Sequence, residues 1–197
     1  SLQVLARQRE GFTLVIVLGA ACWVIGTALW AFGAPVYRVV AWWIAFLVLT
    51  IAGERLELSR FLPPSVTARR AFAGIVVLLL GSLAAWPLAG APHAFGMALL
   101  ALAAWLLKQD IARRTVKQQG LTRFIAVCLL SGYFWLAVGG GVIAFAGLAP
   151  GNPAYDAALH ALLLGFVFSM VFGHAPIIFP AVLRVAVPYH PVFYGPL

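Results

Sequence analysis

Two histidines in the last apolar segment of the sequence give its strongest indication of chemistry. His160 and His174 are fourteen residues apart, with no charged residue between them. In an α-helix this spacing turns by about 1400°, about 40° short of four full turns, so both rings are predicted on one face, about 21 Å apart. An imidazole in hydrocarbon needs a partner, which makes intramembrane histidines candidates for a functional site. We therefore predict that His160 and His174 bind a haem or a metal ion.

The neighbours of the two histidines fit such a site. Asp156 precedes His160 by one helical turn and is predicted to accept a hydrogen bond from one ring nitrogen, which leaves the other for a metal. Pro176 and Pro180 predict that the helix kinks or breaks shortly afterwards, because proline removes a backbone hydrogen bond. An apolar stripe suited to a flat cofactor is predicted between the histidines, formed by Leu163, Leu164, Val167, Met170 and Val171.

Small residues predict where helices approach each other closely. Gly165, Ser169 and Gly173 recur every four residues, on the side predicted to lie opposite the histidines. Such a ridge lets another helix approach its backbone. Residues 139–141 are three consecutive glycines in the preceding apolar segment, and they also predict close helix packing.

His93 is a candidate partner for His160. It is predicted in the turn between the third and fourth apolar segments, at the height of His160, so the two rings would form an axial pair for a haem. The alternative is that His93 has a structural or solvent-facing role. For His160 and His174 the alternative is hydrogen bonding between helices, worth about 0.6–2 kcal/mol.

The composition places these residues in a membrane. Of 197 residues, 64% are hydrophobic and only 9% are charged, with a mean hydropathy of +1.03. An average soluble domain has about 45–50% apolar and about 25% charged residues, so an ordinary soluble domain is excluded. The net charge of +8 lies beside apolar segments, where basic residues set topology, and it does not indicate nucleic acid.

Six segments are apolar enough to cross a membrane as helices, which takes about 20 residues each. The segment at residues 95–107 is markedly shorter than this length. The predicted spans cover residues 12–30, 36–52, 71–88, 95–107, 124–146 and 154–183. All basic residues except Arg38 fall on one side, so the positive-inside rule predicts that both ends are cytoplasmic. The predicted fold is a single all-α, polytopic transmembrane bundle over residues 1–197, in a bacterial-type inner membrane. Because the sequence starts with Ser1, we expect it to be part of a longer chain.

A charged cluster follows the second predicted span. Glu54, Arg55, Glu57 and Arg60 alternate in sign within seven residues. Opposite charges three or four residues apart pair on a helix, so an ion-pair cluster at the membrane interface is predicted. A proton relay through the two glutamates is the alternative.

Residues 158–174, ALHALLLGFVFSMVFGH, resemble a stretch in the later half of NnrS-type membrane proteins. Both patterns place a histidine, then glycine and methionine, then a Gly-His pair, and the resemblance covers mainly residues 155–185. NnrS-type proteins bind haem and copper and are associated with nitric oxide metabolism. The spacing of His160 and His174 also resembles the ligand helices of cytochrome b di-haem bundles. Those bundles need a second such helix, which here implies a homodimer or a further part of the chain.

Together, the histidines and the resemblance predict a redox or gas-binding membrane protein. It would hold haem b, copper or both through His160 and His174, with His93 as a further ligand, for electron transfer or nitric-oxide handling. A transporter or channel for a small solute or protons is the first alternative, and a non-catalytic accessory subunit of a larger membrane complex is the second. Whether the protein is an enzyme stays open, because no hydrolase or nucleotide-binding motif appears in the sequence. The expected partners are the lipid bilayer and either a second copy or a larger complex.

Overall fold

The structure is a computed structural model that describes residues 11–58, 65–86, 88–184 and 190–195. Over these ranges the regular secondary structure is entirely helical. The helices are α1 (Gly11–Ala31), α2 (Val36–Leu58), α3 (Val66–Ala84), α4 (Ala91–Gln109), α5 (Ala112–Thr115), α6 (Gly120–Ala146), α7 (Pro153–Leu159), the π-helix π1 (His160–Val167), α8 (Phe168–Leu183) and a 3-10 turn (Pro191–Tyr194). The prediction of an all-α fold is confirmed.

Six helices of the described chain are long and apolar enough to cross a membrane. They are α1, α2, α3, α4, α6 and the continuous helix from Pro153 to Leu183 that α7, π1 and α8 form together. Each exceeds or approaches the length of about 20 residues that spans the hydrocarbon core. The fold is therefore that of a polytopic integral membrane protein.

At the end of the bundle that carries most basic residues, hereafter the basic end, α2 and α3 extend furthest beyond their predicted spans. The helix α2 continues to Leu58, so Arg55 is helical and does not lie in a loop. The helix α3 starts at Val66 because the Ser65 hydroxyl caps it, accepting a hydrogen bond from the Ala68 N–H at 3.2 Å. Charged side chains at these ends therefore project from regular helices.

The fourth span is longer than predicted at both ends. It starts at Ala91 because Pro92 stands in the first turn, where its missing N–H would have no partner. His93 was predicted in the preceding turn, and that position is wrong, since the residue lies in the first turn of α4. Its ring direction is therefore set by a helix.

The sixth span leaves regular α-helical geometry before His174. The helix α8 runs through Pro176 and Pro180 to Leu183, so the predicted break is absent. The irregular part is π1, which starts at His160. In a π-helix each N–H bonds a carbonyl five residues earlier, so a residue lies above the fifth residue before it. The predicted angle about the helix axis between His160 and His174 assumed an α-helix throughout, so it does not apply here.

The helix α6 is the centre of the packing around the sixth span. It contacts α4 on one side and α7, π1 and α8 on another. At the crossing with α4, a Cβ atom on Gly96 would lie 2.3 Å from the backbone nitrogen of Ala144, so only glycine permits this approach. Gly140 faces α4 and Gly139 faces Leu162 of π1. The close packing predicted for residues 139–141 is confirmed for Gly139 and Gly140, whereas a Cβ atom on Gly141 would meet only Leu100 Cδ2, at 3.9 Å.

Candidate functional site

Both histidines of the sixth span are held by their own helix in the same way. The Nδ1 of His160 lies 2.7 Å from the Asp156 backbone carbonyl, and the Nδ1 of His174 lies 2.5 Å from the Met170 carbonyl. A carbonyl only accepts, so Nδ1 carries the proton and Nε2 is the acceptor nitrogen of the neutral ring. Asp156 was predicted to accept a hydrogen bond from a ring nitrogen of His160, and its acceptor in the structure is the backbone carbonyl, not the carboxylate.

The His160 ring borders an open apolar groove between π1 and α6. The ring is exposed, and the groove has a volume of about 430 Å³. Every other side chain that lines it is hydrophobic or small, since the lining consists of Trp135, Val138, Val142, Ala157, Ala161, Leu164 and Gly165. We call this region the His160 groove.

Gly165 forms part of the His160 groove, although it was predicted on the opposite side from the histidine. Five residues separate it from His160, which is one turn of a π-helix, so the two lie on one side of π1. A Cβ atom on Gly165 would lie 2.4 Å from Cγ of Trp135, so the indole packs directly on the glycine backbone.

The predicted ridge of small residues meets α6 along the rest of the sixth span. Ser169 faces Gly132, and Gly173 faces Cys128. Contact of this ridge with a neighbouring helix is confirmed. Met170, predicted on a cofactor-facing stripe, instead packs in the core against Gly132.

His174 lies in a different setting, because its Nε2 accepts a hydrogen bond from Nη2 of Arg55 in α2. Both side chains are half-buried. Arg55 forms no ion pair with Glu54 or Glu57 among the described residues, so the predicted ion-pair cluster is wrong for this arginine. The fourth member of that cluster, Arg60, lies outside the described residues.

Tyr133 and Asp110 extend the polar region around His174. The buried Tyr133 hydroxyl donates to Oδ2 of Asp110 at 2.5 Å, and Oδ1 of Asp110 accepts from the Ala112 N–H at 2.8 Å. Arg55 and Asp110 both lie close enough to the Tyr133 phenol to act on it electrostatically. Side chains at the ends or in the interiors of α2, α4, α6 and α8 therefore meet here, and we call Arg55, Asp110, Tyr133 and His174 the polar cluster.

His93 lies apart from His160. Its Nδ1 is 2.9 Å from the Ala144 carbonyl, near the end of α6 that packs on α4. In the part of the chain that the structure describes, no hydrogen bond joins the two rings, and His93 does not line the His160 groove. His93 is therefore not part of the lining of the His160 groove, and the axial pair stays a prediction.

The comparisons with known proteins give a family and no relative of described activity. The family model described as "Domain of unknown function (DUF8744)" matches residues 1–197. The chain belongs to this family. No curated protein matches the chain. No solved structure matches it either.

In this DUF8744 chain, sequence reasoning missed three residues that make the surroundings of His160 and His174 different: Arg55, Asp110 and Trp135. Arg55 was assigned to a loop, although the segment after Gly53 is rich in helix-forming residues that carry α2 onward. Asp110 had a detectable signal, since it is the sole acidic residue in the basic connection between α4 and α6. Trp135 had none, because only the packing of α6 against π1 places it beside Gly165.

Proposed function

We propose that this protein is an integral membrane haem protein in which His160 is an axial ligand, and that it serves electron transfer or nitric-oxide handling. One observation carries the proposal. The exposed His160 ring stands at an apolar groove of about 430 Å³, with Nδ1 bonded to a carbonyl and Nε2 directed away from its own helix. Ligating histidines in proteins typically have their second ring nitrogen fixed in this way. Apolar pockets of about 300–1,000 Å³ are typical of cofactor sites.

The donor set favours haem over a bare copper ion. Among the described residues no group of three or more His, Cys, Asp or Glu side chains is placed to hold a metal. A metal bound by protein side chains alone generally takes three or four of them. A porphyrin brings four nitrogen donors and needs only one or two axial ligands from the protein, so His160 suffices.

His174 and His93 do not enter this proposal as ligands. The Nε2 of His174 accepts from Arg55, and His93 lies outside the His160 groove. The second axial position would be open to a diatomic gas or filled by His160 of the partner subunit in a homodimer. A bound haem supplies one-electron chemistry and a site for such gases, while this chain supplies the ligand, its orientation and an apolar wall.

Visible spectroscopy of the detergent-purified chain tests the proposal. Oxidised and dithionite-reduced spectra are recorded before and after haem is added, and iron and copper are quantified in the same sample. We expect a Soret band and about one iron per chain or per two chains. Carbon monoxide should shift the reduced spectrum if the sixth position is open, and should leave it unchanged if two histidines occupy both positions.

Three variants locate the ligand. His160→Ala should lose most of the bound haem, whereas His174→Ala and the exposed control His190→Ala should retain it. Full haem binding by His160→Ala would refute the assignment of the ligand. A wild-type protein with neither a Soret band nor iron after addition of haem would refute the function itself.

The proposed orientation places the basic end at the cytoplasmic face of a bacterial-type inner membrane, as the positive-inside rule requires. The two native cysteines, Cys22 and Cys128, are buried and give a low labelling background. In inverted vesicles, Arg114→Cys should react with an impermeant maleimide and Asn152→Cys should not. The reverse pattern would refute the orientation.

A further inference from the structure

Arg55 carries a positive charge into a place where it forms no direct ion pair with the described residues. It lies near the basic end of α2 and is half-buried. A guanidinium stays protonated at any ordinary pH, so burial cannot be relieved by loss of its proton. The charge therefore has to be compensated by a partner or by solvent.

The hydrogen bonds of Arg55 leave most of its donors unused. Its one hydrogen bond within the described residues goes to Nε2 of His174, which is a neutral acceptor. The Nε atom is buried and has no hydrogen-bond partner. Nη1 is not among the buried side-chain atoms that lack a partner, so we take it as the donor that a ligand would meet.

No nearby carboxylate neutralises this charge in the described structure. Asp110 acts on the same Tyr133 phenol as Arg55, but its hydrogen bonds are with Tyr133 and the Ala112 N–H, and no ion pair joins it to Arg55 among the described residues. Glu54 and Glu57 are exposed and form no ion pair with Arg55. An unpaired cation that is partly removed from water is costly, and the cost is relieved when an anion binds it.

His174 fixes the direction of the guanidinium. Its own ring is held by the Met170 carbonyl through Nδ1, so the acceptor nitrogen that meets Arg55 has a set position. His174 is thus a positioning residue, and Arg55 is the group that contacts the ligand. A guanidinium held in this manner presents paired donors that match the oxygens of a phosphate.

We propose that Arg55 binds a phosphate group at the basic end of the bundle, either that of an anionic phospholipid or a free phosphate. The surroundings support this ligand class. Arg69, Arg70 and Lys108, at the same end of the bundle on α3 and α4, are exposed and raise the local positive potential. Basic sites between transmembrane helices on this side of a membrane typically take lipid headgroups. The proposal does not depend on haem binding at His160.

Native mass spectrometry of the intact, detergent-purified chain tests the proposal. Phosphatidylglycerol and phosphatidylcholine with identical acyl chains are titrated against the wild type, Arg55→Gln and Arg113→Gln. The last variant removes an exposed charge of the same sign from α5 and serves as the matched control. We expect the wild type and the control to bind phosphatidylglycerol about tenfold more tightly than phosphatidylcholine. This factor corresponds to one charge-assisted hydrogen bond of about 1.4 kcal/mol. Arg55→Gln should lose that preference.

Inorganic phosphate distinguishes the two sources of the ligand. Displacement of phosphatidylglycerol by millimolar phosphate would identify a free-phosphate site, and no displacement would identify a lipid site. Arg55→Lys, which keeps the charge but loses the paired donors, should show an intermediate preference and covers the case in which Arg55→Gln does not fold. Equal binding of the two lipids by the wild type that inorganic phosphate does not reduce, or an unchanged preference in the folded Arg55 variants, would overturn the proposal.

Discussion

The two histidines of the sixth span have the same local bonding and opposite surroundings. Each donates from Nδ1 to the carbonyl four residues earlier. The His160 ring is exposed at an apolar groove beside Trp135, whereas the His174 ring is half-buried and accepts from Arg55. Local sequence therefore fixes the proton position on both rings, while neighbouring helices decide what each Nε2 can bind.

This difference assigns different roles to the two regions. At the His160 groove, an acceptor nitrogen faces open apolar space, which suits a hydrophobic cofactor that needs one axial ligand. In the polar cluster, the same nitrogen holds an arginine in place, which suits recognition of an anion. The two histidines, both predicted as ligands of a haem or a metal ion, thus lie in two different settings.

The largest expected difference between the two regions comes from their glycines. Gly165→Ala places Cβ 2.4 Å from Cγ of Trp135, whereas Gly173→Ala places it 3.1 Å from Cβ of Cys128. Overpacking of this kind costs about 1–3 kcal/mol, so Gly165→Ala should lower the unfolding free energy by about 2–3 kcal/mol and Gly173→Ala by less than about 1 kcal/mol. Unfolding midpoints in detergent, read by tryptophan fluorescence and circular dichroism, measure both.

Gly74→Ala is the control for these two substitutions. Nothing lies within 4 Å of a Cβ atom at Gly74, so alanine should be neutral or stabilise α3 by up to about 1 kcal/mol. Equal destabilisation by Gly165→Ala and Gly173→Ala would contradict the tight contact of π1 with Trp135.

Removal of each imidazole gives the next largest difference. His174→Ala leaves the Arg55 guanidinium without its acceptor and should lower the unfolding free energy by about 1–2 kcal/mol. His160→Ala removes an exposed ring bonded to its own helix and should change it by less than about 0.5 kcal/mol in the absence of haem. The same detergent unfolding assay measures both, and His174→Gln, which keeps an acceptor, should recover part of the loss. A larger effect at His160 than at His174 would reverse the comparison.

The smallest expected effect tests one hydrogen bond within the polar cluster, that between Tyr133 and Asp110. Tyr133→Phe removes the hydroxyl that donates to Asp110 at 2.5 Å and should cost about 1 kcal/mol, within the range measured for hydrogen bonds in membrane proteins. The matched control is Tyr155→Phe on α7, where the half-buried hydroxyl has no hydrogen bond among the described residues. If the two variants unfold alike, the bond between Tyr133 and Asp110 does not stabilise the cluster.

The fold was largely predictable because its signals are local. Long apolar segments and the breakers between them predict six helices, and glycines at residues 139–141 predict the close approach that the structure contains. The errors lie at the ends and inside the sixth span. Because Ser65 caps α3 and Pro92 stands in the first turn of α4, both helices begin earlier in the chain than predicted. Because π1 is not α-helical, the spacing of His160 and His174 does not place them on one face.

The sequence by itself determined the class of the protein, the number of spans and the candidate histidines. Each of these follows from residue type and spacing along one helix, which a linear pattern records directly. Only the tertiary structure decided that Arg55 meets His174 and that Trp135 lines the His160 groove against Gly165. Those contacts join residues far apart in the chain, and they depend on the rotation of each helix about its axis. The π-helical segment π1 changes the direction in which every later side chain of the sixth span points. The contact of His174 with Arg55 could therefore not be predicted from the spacing of the two histidines.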